Sequence, residues 1–513
     1  MFQNNGATTL WYSWFGILVA SATRVVFFMD WWRIVRQLLG PAAFAGILLL
    51  EPFANHFPEA SQSDQANRVL AVGVWMLVWW ILEAAPLAVT ALLPMLLFPL
   101  LSVMAPEQTA LHYGHPIVFL FFGGFVLALG LEHYRLHLRI ALYILSWTGT
   151  SPPRLVLGFM LATGFLSMWI SNTATTVMML PMAISVLNLL QGEANEKSQQ
   201  NFAVALLLGI AFSANVGGMA TLIGTPPNLV FAGMMQNRLG ITVSFGRWMV
   251  VALPIVVILF AVVYVVLSYV LFPTTSLKIA NADVVIRNER TKLGPMQFGD
   301  TLMLAVFVLA AGLWIGKEFI VWFWPKLGLT DTSIALFSVV LLFVLPGDAR
   351  FRKPLLTWDV TTRLPWGILL LFGGGLCLAE ALGKAGIIDA LASLVPPTWP
   401  YWIVLFFLIA VALYLTEVMS NVALVGVFVP VLIGIAQSME VHPLYLAIPA
   451  TLASSCAFML PMATPPNAIV FGSGKITVAQ MFIAGFVLNL LSLMIIVPLT
   501  QVLIPLAFPA IAP

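Results

Sequence analysis

Two stretches of this sequence carry uncharged oxygen donors at the same spacing. The donors are hydroxyl and amide groups, at Ser167, Ser171, Asn172 and Thr173 in the first stretch and at Thr416, Ser420 and Asn421 in the second. Such oxygens, together with carbonyls freed by an interrupted helix, can replace the hydration shell of a monovalent cation. Serine and threonine also make ordinary packing contacts between membrane helices. Two sets in the same register favour a pair of cation sites over packing alone.

A second motif, Thr-Pro-Pro-Asn, occurs at residues 225–228 and again at 464–467. Proline lacks the amide hydrogen and disturbs the preceding turn, so each copy predicts a helix that is interrupted within its apolar stretch. The freed carbonyls can bind a cation, whereas the N-terminus of the next half-helix offers amide groups and a positive dipole end to an anion. A lone membrane proline more often makes a simple kink. That alternative is disfavoured because each copy follows its own Ser-Asn motif.

Charged residues within the apolar stretches are few, and the clearest are Glu83, Glu380 and Glu417. An acidic residue inside a membrane is a functional candidate by default. Glu417 directly follows Thr416, so it could tune the second cation site or carry a proton. Pairing with a lysine, or a position near the membrane surface, explains Glu417 equally well. The sequence leaves these alternatives open.

The motifs lie in a chain whose composition suits a membrane. Of its 513 residues, 61% are hydrophobic and only 8% are charged, with a formal net charge of +2. A soluble domain carries about 25% charged residues, so a soluble enzyme, a nucleic-acid-binding protein and a secreted disulfide scaffold are excluded. The sequence has no metalloprotease, P-loop or nucleophile-elbow motif, which disfavours ATP-driven transport. We predict an all-α polytopic protein of the inner (plasma) membrane, surrounded by lipid, with no enzymatic activity and no nucleic-acid partner.

Two apolar segments, 155–190 and 401–437, are too long for one spanning helix and carry the Ser-Asn motifs near their middles. Each segment either crosses once with a polar break or returns to the same face as a re-entrant hairpin. The positive-inside rule separates these topologies. With both segments re-entrant and the amino terminus inside, 16 of the 22 Lys and Arg residues face the cytoplasm, compared with 12 if both cross. The charge distribution therefore favours two re-entrant hairpins.

Three motifs recur in the same order, which indicates an internal repeat. Phe-Gly-Gly at 122–124 recurs after 250 residues, Ser-Asn at 171–172 after 249, and Thr-Pro-Pro-Asn at 225–228 after 239. Each copy then has about five transmembrane helices and one hairpin, and an odd number of spans places the copies in opposite orientation. Inverted repeats with helices broken near the midplane are the architecture of secondary transporters.

The predicted domain organisation follows these repeats. The segments are 1–68, an N-terminal arm and first transmembrane helix; 69–273, repeat 1; 274–298, a cytoplasmic linker; and 299–508, repeat 2. In both repeats scaffold helices come first, followed by a hairpin and a broken helix. These two elements are 155–190 and 202–233 in repeat 1, and 401–437 and 445–471 in repeat 2.

The paired Ser-Asn and Thr-Pro-Pro-Asn motifs resemble those of the divalent anion:sodium symporter (DASS) family, within the wider ion transporter superfamily. The resemblance extends over about residues 70–508. It implies a homodimer in which a scaffold domain holds the dimer contact and a transport domain moves as an elevator. The cargo it implies is a di- or tricarboxylate such as succinate, malate, fumarate or citrate, or sulfate in some members, usually driven by several Na⁺ ions.

The resemblance also implies roles for particular residues. The first sodium site that it implies consists of Ser167, Ser171, Asn172 and Gly224. The second implied site consists of Thr416, Ser420, Asn421 and Ala463. The implied substrate residues are Ser171, Asn172, Thr173, Thr225, Ser420, Asn421 and Thr464. Val422 stands where a second Ser-Asn-Thr would have its threonine. The missing hydroxyl leaves the exact substrate open, because a lost hydrogen bond changes which analogue a site prefers.

The binding motifs contain no arginine or lysine. Bound Na⁺ and half-helix N-termini would therefore have to neutralise a dianion, which predicts sodium-coupled symport. Two alternatives keep the same architecture: a sodium-independent dicarboxylate exchanger, and a permease for sulfate or another inorganic anion. An intramembrane enzyme would need an activated nucleophile, a metal cluster or paired acids at one depth, and the sequence offers only isolated glutamates.

Overall fold

The computed structural model describes residues 31–509, apart from residues 55, 58, 190–195, 276–281, 394 and 397. This part of the chain forms no β-strand; an isolated bridge pairs Pro346 with Pro354. Its α-helices are α1 (Trp31–Leu50), α2 (Ala60–Leu82), α3 (Leu87–Thr90), α4 (Leu93–Leu100), α5 (Pro106–Tyr113), α6 (Pro116–His133), α7 (Leu136–Thr148), α8 (Pro152–Ser167), α9 (Asn172–Asn188), α10 (Glu196–Gly218), α11 (Pro226–Leu239), α12 (Phe245–Val265), α13 (Ala282–Leu293), α14 (Phe298–Phe323), α15 (Asp331–Val344), α16 (Trp366–Lys384), α17 (Ile387–Ala392), α18 (Tyr401–Leu415), α19 (Asn421–Ser438), α20 (Leu444–Ala453), α21 (Pro465–Phe471) and α22 (Val478–Ala507). A π-helical turn, Val266–Leu271, continues α12, and short 3-10 helices occupy Pro325–Leu327 and Trp358–Arg363.

Nine helical stretches of the described residues are long and apolar enough to cross a membrane. They are Trp31–Leu50, Ala60–Leu82, Pro106–His133, Glu196–Gly218, Phe245–Leu271, Phe298–Phe323, Trp366–Lys384, Asn421–Ser438 and Val478–Ala507. Shorter apolar helical stretches are Leu87–Leu100, Asp331–Val344, Tyr401–Leu415 and Leu444–Ala453. The helices confirm the predicted all-α polytopic fold, whereas the opposite orientation of the two repeats stays a prediction.

Both segments predicted as hairpins consist of two helices joined by a short non-helical turn. Residues 168–171 separate α8 from α9, and residues 416–420 separate α18 from α19. Both Thr-Pro-Pro-Asn motifs start a helix after an unwound segment, which is 219–225 before α11 and 454–464 before α21. Proline in the first turn of a helix costs no intrahelical hydrogen bond. The interruptions are therefore present in both copies, and the re-entrant topology stays a prediction.

Several helices extend beyond the limits that hydropathy predicts. The boundary predicted between residues 68 and 69 falls within α2, which begins at Ala60 with polar turns ahead of its apolar run, and the domain division stays a prediction. Likewise, α13 occupies much of the predicted linker 274–298. Loss of apolar character marks the edge of the bilayer, whereas a helix continues as long as its backbone bonds do. Residues 1–30 of the predicted arm, residue 190 of the first hairpin and 276–281 of the linker lie outside the described residues.

The two repeats pack against each other around these interruptions. α9 of the first hairpin segment packs against α21, and α11 packs against α19 of the second. Buried aromatic pairs also join the copies, with ring centroids 4.2 Å apart for Phe121 and Phe372 and 4.9 Å apart for Phe212 and Phe458. The hairpin segment of each repeat therefore meets the broken helix of the other, and the polar motifs converge on one region.

The recurring Phe-Gly-Gly motif is a place of close helix packing. A Cβ atom on Gly123 would lie 2.6 Å from the Cβ of Ala335 in α15. A Cβ atom on Gly124 would lie 3.1 Å from Cγ2 of Ile223, in the unwound segment 219–225. Glycine is needed here for close approach, and the motif presses α6 against the element that carries Gly224.

Candidate functional site

A cavity of about 810 Å³ lies where the turns 168–171 and 416–420 meet the unwound segments. Every residue predicted to contact substrate lines it, namely Ser171, Asn172, Thr173, Thr225, Ser420, Asn421 and Thr464. Gly224 and Ala463 of the predicted sodium sites line it too, whereas Ser167 and Thr416 are buried beneath its wall. The fold thus brings all the predicted site residues together, and the roles of the individual residues stay predictions.

Four helices begin at the wall of this central cavity. Their first residues, Asn172, Pro226, Asn421 and Pro465, all line it. The first amide groups of a helix have no intrahelical partner, and each helix start carries the equivalent of about half a positive charge. α9 and α19 can offer free amide hydrogens to an anion there, whereas α11 and α21 begin with two prolines and add only the positive end of the helix dipole.

Three charged side chains reach the wall of the central cavity. Nη2 of Arg363 lies 2.9 Å from Oε2 of Glu132, so these two neutralise each other, and the third is the carboxylate of Glu83. Among the described residues that line the cavity, no basic side chain is left over for a dianion. Glu380 lies elsewhere and pairs with Lys384 at 2.7 Å.

The first oxygen cluster joins the first hairpin segment to the first unwound segment. The Ser167 hydroxyl donates to Oδ1 of Asn172 at 2.5 Å, and Ser167 is fully buried. Gly224 faces the carbonyl oxygens of Gly218 and Ser167, which lie 2.6 and 3.0 Å from the position a Cβ atom would take. These hydroxyl, amide and carbonyl oxygens carry no formal charge, as expected of a site for a monovalent cation.

The second oxygen cluster repeats this arrangement. The Thr416 hydroxyl lies 2.8 Å from Oδ1 of Asn421 and 2.5 Å from the carbonyl oxygen of Ser454, in the second unwound segment. One hydroxyl proton cannot serve both acceptors fully, so three oxygens, counting that of Thr416, lie close together and share a single proton. A bound cation would relieve that crowding, and the donor set therefore fits Na⁺.

The asparagines of the Thr-Pro-Pro-Asn motifs hold the unwound segments in shape. Nδ2 of Asn228 donates to the carbonyls of Gly218 at 3.2 Å and Thr221 at 2.7 Å. Asn467 makes the equivalent contacts 239 residues later, to the carbonyls of Ala457 at 3.0 Å and Leu460 at 3.1 Å. Neither asparagine was predicted as a site residue, although both recur in the motif. They explain why Asn follows the two prolines in each copy.

Asn215 is a site residue that sequence reasoning missed. It lies near the end of α10, is buried and lines the central cavity. Its Nδ2 donates to Oγ1 of Thr464 at 3.1 Å and so links the two repeats. Ser454 stands at the corresponding position 239 residues later, so no repeated motif marks Asn215 in the sequence.

Glu417 binds backbone rather than a lysine. Its carboxylate oxygens accept the amide hydrogens of Phe458, Met459 and Leu460 at 2.8 to 3.2 Å, in the second unwound segment. Nδ2 of Asn489 donates to Oε1 at 2.7 Å, and the Glu417 side chain is buried. No lysine among the described residues forms an ion pair with it. Glu417 thus positions the unwound segment directly beside Thr416.

Gly218→Ala should weaken binding of Na⁺ roughly tenfold. The new Cβ atom would lie 2.5 Å from Oδ1 of Asn172 and would displace that oxygen from the first cluster. The readout is the Na⁺ concentration that gives half-maximal thermal stabilisation of the purified protein. Gly426→Ala is the matched control, because a Cβ atom there meets no described atom within 4 Å. Equal Na⁺ dependence of the two variants would contradict the assignment of the cluster.

Comparison with known proteins gives a consistent result. The family described as the sodium:sulfate symporter transmembrane region matches residues 30–507. The chain is 40% identical over 482 residues to the sodium-dependent dicarboxylate transporter SdcS of Staphylococcus saprophyticus, covering 92% of both chains. It is 38% identical over 486 residues to the SdcS of Staphylococcus aureus, with the same coverage. The crystal structure of the YdaH transporter from Alcanivorax borkumensis shares the fold, with a TM-score of 0.53, 15% identity, and coverage of 77% of this chain and 86% of that one.

Proposed function

Because this chain belongs to the sodium:sulfate symporter family, we propose that it is a secondary active transporter that carries di- or tricarboxylates together with Na⁺. Membership confirms the resemblance expected from the paired motifs. One observation carries the proposal: four helix N-termini face a cavity that has no unpaired basic side chain among its described residues and lies between two uncharged oxygen clusters. The names of the Staphylococcus relatives support both sodium dependence and a dicarboxylate cargo.

In this proposal the oxygen clusters hold Na⁺ and the cavity holds the carboxylates. The sodium sites are Ser167, Ser171, Asn172 and Gly224, and Thr416, Ser420, Asn421 and Ala463. The substrate carboxylates bind to the hairpin turns and to the threonines before the broken helices, which are Ser171, Asn172, Thr173, Thr225, Ser420, Asn421 and Thr464. Four residues belong to both sets, so an ion and a carboxylate meet at the same side chains: Ser171, Asn172, Ser420 and Asn421.

The electrostatics of the cavity then couple the ions to the substrate. A cation about 4 Å from a carboxylate contributes about 4 kcal/mol at an effective dielectric constant near 20. Each helix start contributes only about 0.3–1 kcal/mol to the binding of a nearby anion, which is less than one bound cation contributes. Without Na⁺ the cavity is a poor dianion site, and with Na⁺ the carboxylates complete the coordination of the ions. Binding of either partner therefore favours the other, and by linkage the effect is reciprocal.

The surrounding assembly is also part of the proposal. We place the protein in the plasma membrane as a homodimer, in which the hairpin segments and broken helices move together past a scaffold in an elevator motion. The packing of α9 on α21 and of α11 on α19 supports movement as a unit, because the hairpin segment of each repeat contacts the broken helix of the other repeat. No chemical conversion of the substrate is involved.

Replacing Na⁺ with choline should reduce succinate uptake by at least about 100-fold, since each lost cation contact is worth several kcal/mol. The measurement uses purified protein in liposomes, with the proton gradient clamped. Equal uptake in both buffers, or Na⁺-independent counterflow of preloaded succinate, would instead identify an exchanger.

Sulfate is the second candidate cargo, because the family description names it. Excess sulfate in the same liposome assay should compete weakly with succinate. The two carboxylates of succinate are farther apart than the oxygens of one sulfate, so they can reach the N-termini of helices from both repeats. Stronger inhibition by sulfate than by unlabelled succinate would make this chain an inorganic-anion transporter.

A further inference from the structure

A second cavity, of about 400 Å³, lies beside the central one and has a basic wall. Arg33 and Arg36 of α1 form that wall, and the rest of the lining is residues 83–86, which connect α2 to α3, and Leu87 at the start of α3. Glu83 and Leu87 line both cavities, so the two are neighbours. With two guanidinium groups and one carboxylate, this side cavity has a net positive charge.

Arg36 is held by one of its nitrogens and leaves another without a partner. Its Nη1 donates to the carbonyl oxygen of Leu82, 3.3 Å away at the end of α2. Its Nε is buried and makes no hydrogen bond to any described residue. That nitrogen has no accessible surface, but the guanidinium group of Arg36 lines the side cavity, so the accessible part of the group can contact a ligand there.

The spacing of the two arginines suits an oxyanion. Residues three apart in a helix share a face, so Arg33 and Arg36 can approach the same ligand. Guanidinium groups bind carboxylate and phosphate through paired hydrogen bonds. The ligand that fits is therefore an anion with at least two oxygens.

The position of α1 indicates the depth of the side cavity in the membrane. Trp31 and Trp32, directly before Arg33, are exposed, and tryptophan is enriched at the membrane–water interface. Leu38 and Leu39, farther along the helix, are exposed as well, as expected of residues that face acyl chains. Basic pockets at this depth bind lipid headgroups.

We propose that Arg33 and Arg36 form an oxyanion site at the edge of the central cavity. Two sources supply this chemistry: the phosphate of an anionic lipid, and a carboxylate of a dicarboxylate on its way to or from the central cavity. The exposed tryptophans support the lipid source. The wall shared with the central cavity supports the dicarboxylate source. Only this second source rests on the proposed function, whereas the lipid source does not.

Ligand-dependent thermal shifts of the purified protein test this site without a transport assay. One arm adds phosphatidylglycerol or, as a neutral control, phosphatidylcholine. The other adds succinate or chloride at equal ionic strength in choline buffer, so that Na⁺-dependent binding is absent. The variant is Arg33→Gln with Arg36→Gln, and the matched control is Arg350→Gln with Arg352→Gln, which removes the same charge from an exposed segment.

The double variant should bind at least one oxyanion roughly tenfold more weakly than the control. A difference with phosphatidylglycerol identifies a lipid site, and a difference with succinate identifies a substrate vestibule. If both oxyanions stabilise the double variant as they stabilise the control, the site does not exist. If the double variant fails to fold, the single variant Arg33→Gln is measured in its place, because it keeps the hydrogen bond from Arg36 to Leu82. If the uptake assay shows no Na⁺ coupling, the proposed function fails, but the measurement with phosphatidylglycerol still tests the lipid site.

Discussion

Asn172→Ala should abolish both uptake and its dependence on Na⁺. Asn172 is the first residue of α9, lines the central cavity and accepts the hydrogen bond of Ser167 at 2.5 Å. Alanine removes an oxygen from the first cluster and leaves the buried Ser167 hydroxyl without its acceptor. A buried donor left unpaired costs about 1–3 kcal/mol, and the loss of an ion ligand adds to that cost. Uptake should therefore fall by about 100-fold or more.

The experiment compares this variant with Asn188→Ala in reconstituted liposomes. Asn188 is the last residue of the same helix and is exposed, so its substitution removes an equal side chain far from the cluster. We expect the control to transport succinate normally. If uptake by Asn172→Ala remains normal and Na⁺-dependent, Asn172 is not a ligand of the first sodium site. Asn421→Ala should behave like Asn172→Ala, because its oxygen occupies the same place beside Thr416.

Glu417→Gln should raise the Na⁺ concentration needed for half-maximal uptake by roughly tenfold or more. The Glu417 carboxylate accepts backbone amide hydrogens at three successive residues, 458–460, and the side-chain amide of Asn489. Glutamine keeps one acceptor oxygen and places an NH₂ group where the other accepts. Donors then face donors, and the second unwound segment loses the contacts that hold it next to Thr416.

A shifted Na⁺ dependence distinguishes positioning from general destabilisation, which would lower the amount of folded protein without changing the half-maximal concentration. Glu440→Gln, on an exposed residue after α19, is the control and should leave the Na⁺ curve unchanged. Asn489→Ala removes one of the donors to Glu417 and should cause a smaller shift. An unchanged Na⁺ curve in Glu417→Gln would show that the backbone contacts of this carboxylate have no influence on the second cation site.

The lining of the central cavity was predictable from local patterns, whereas the roles of its residues stay predictions. Uncharged oxygens at equal spacing, prolines that start helices, and a second copy of each motif together predicted the residues that line the central cavity. The absence of basic residues from the motifs predicted the electrostatic character of that cavity. Each motif lies within a dozen residues, and its second copy is found by comparing the chain with itself, so a single sequence displays both signals.

Hydropathy was less reliable for the limits of helices. It measures preference for lipid, so it located the apolar run of α2 and missed the polar turns that begin at Ala60. The predicted linker also contains a helix, α13, which hydropathy does not mark because many of its residues are polar. A helix ends where its hydrogen bonds end, and polar residues at the bilayer surface do not end it.

Composition and repetition thus determined, without any coordinates, that this is an all-helical membrane protein with two similar polar sites and no basic side chain in its binding motifs. Only the tertiary structure decided how the copies meet. The bond from Asn215 to Thr464, the three amides that bind Glu417 and the neighbouring cavity of Arg33 and Arg36 join segments far apart in the chain. Such contacts form only when the helices pack, so the spacing of residues along the chain does not predict them.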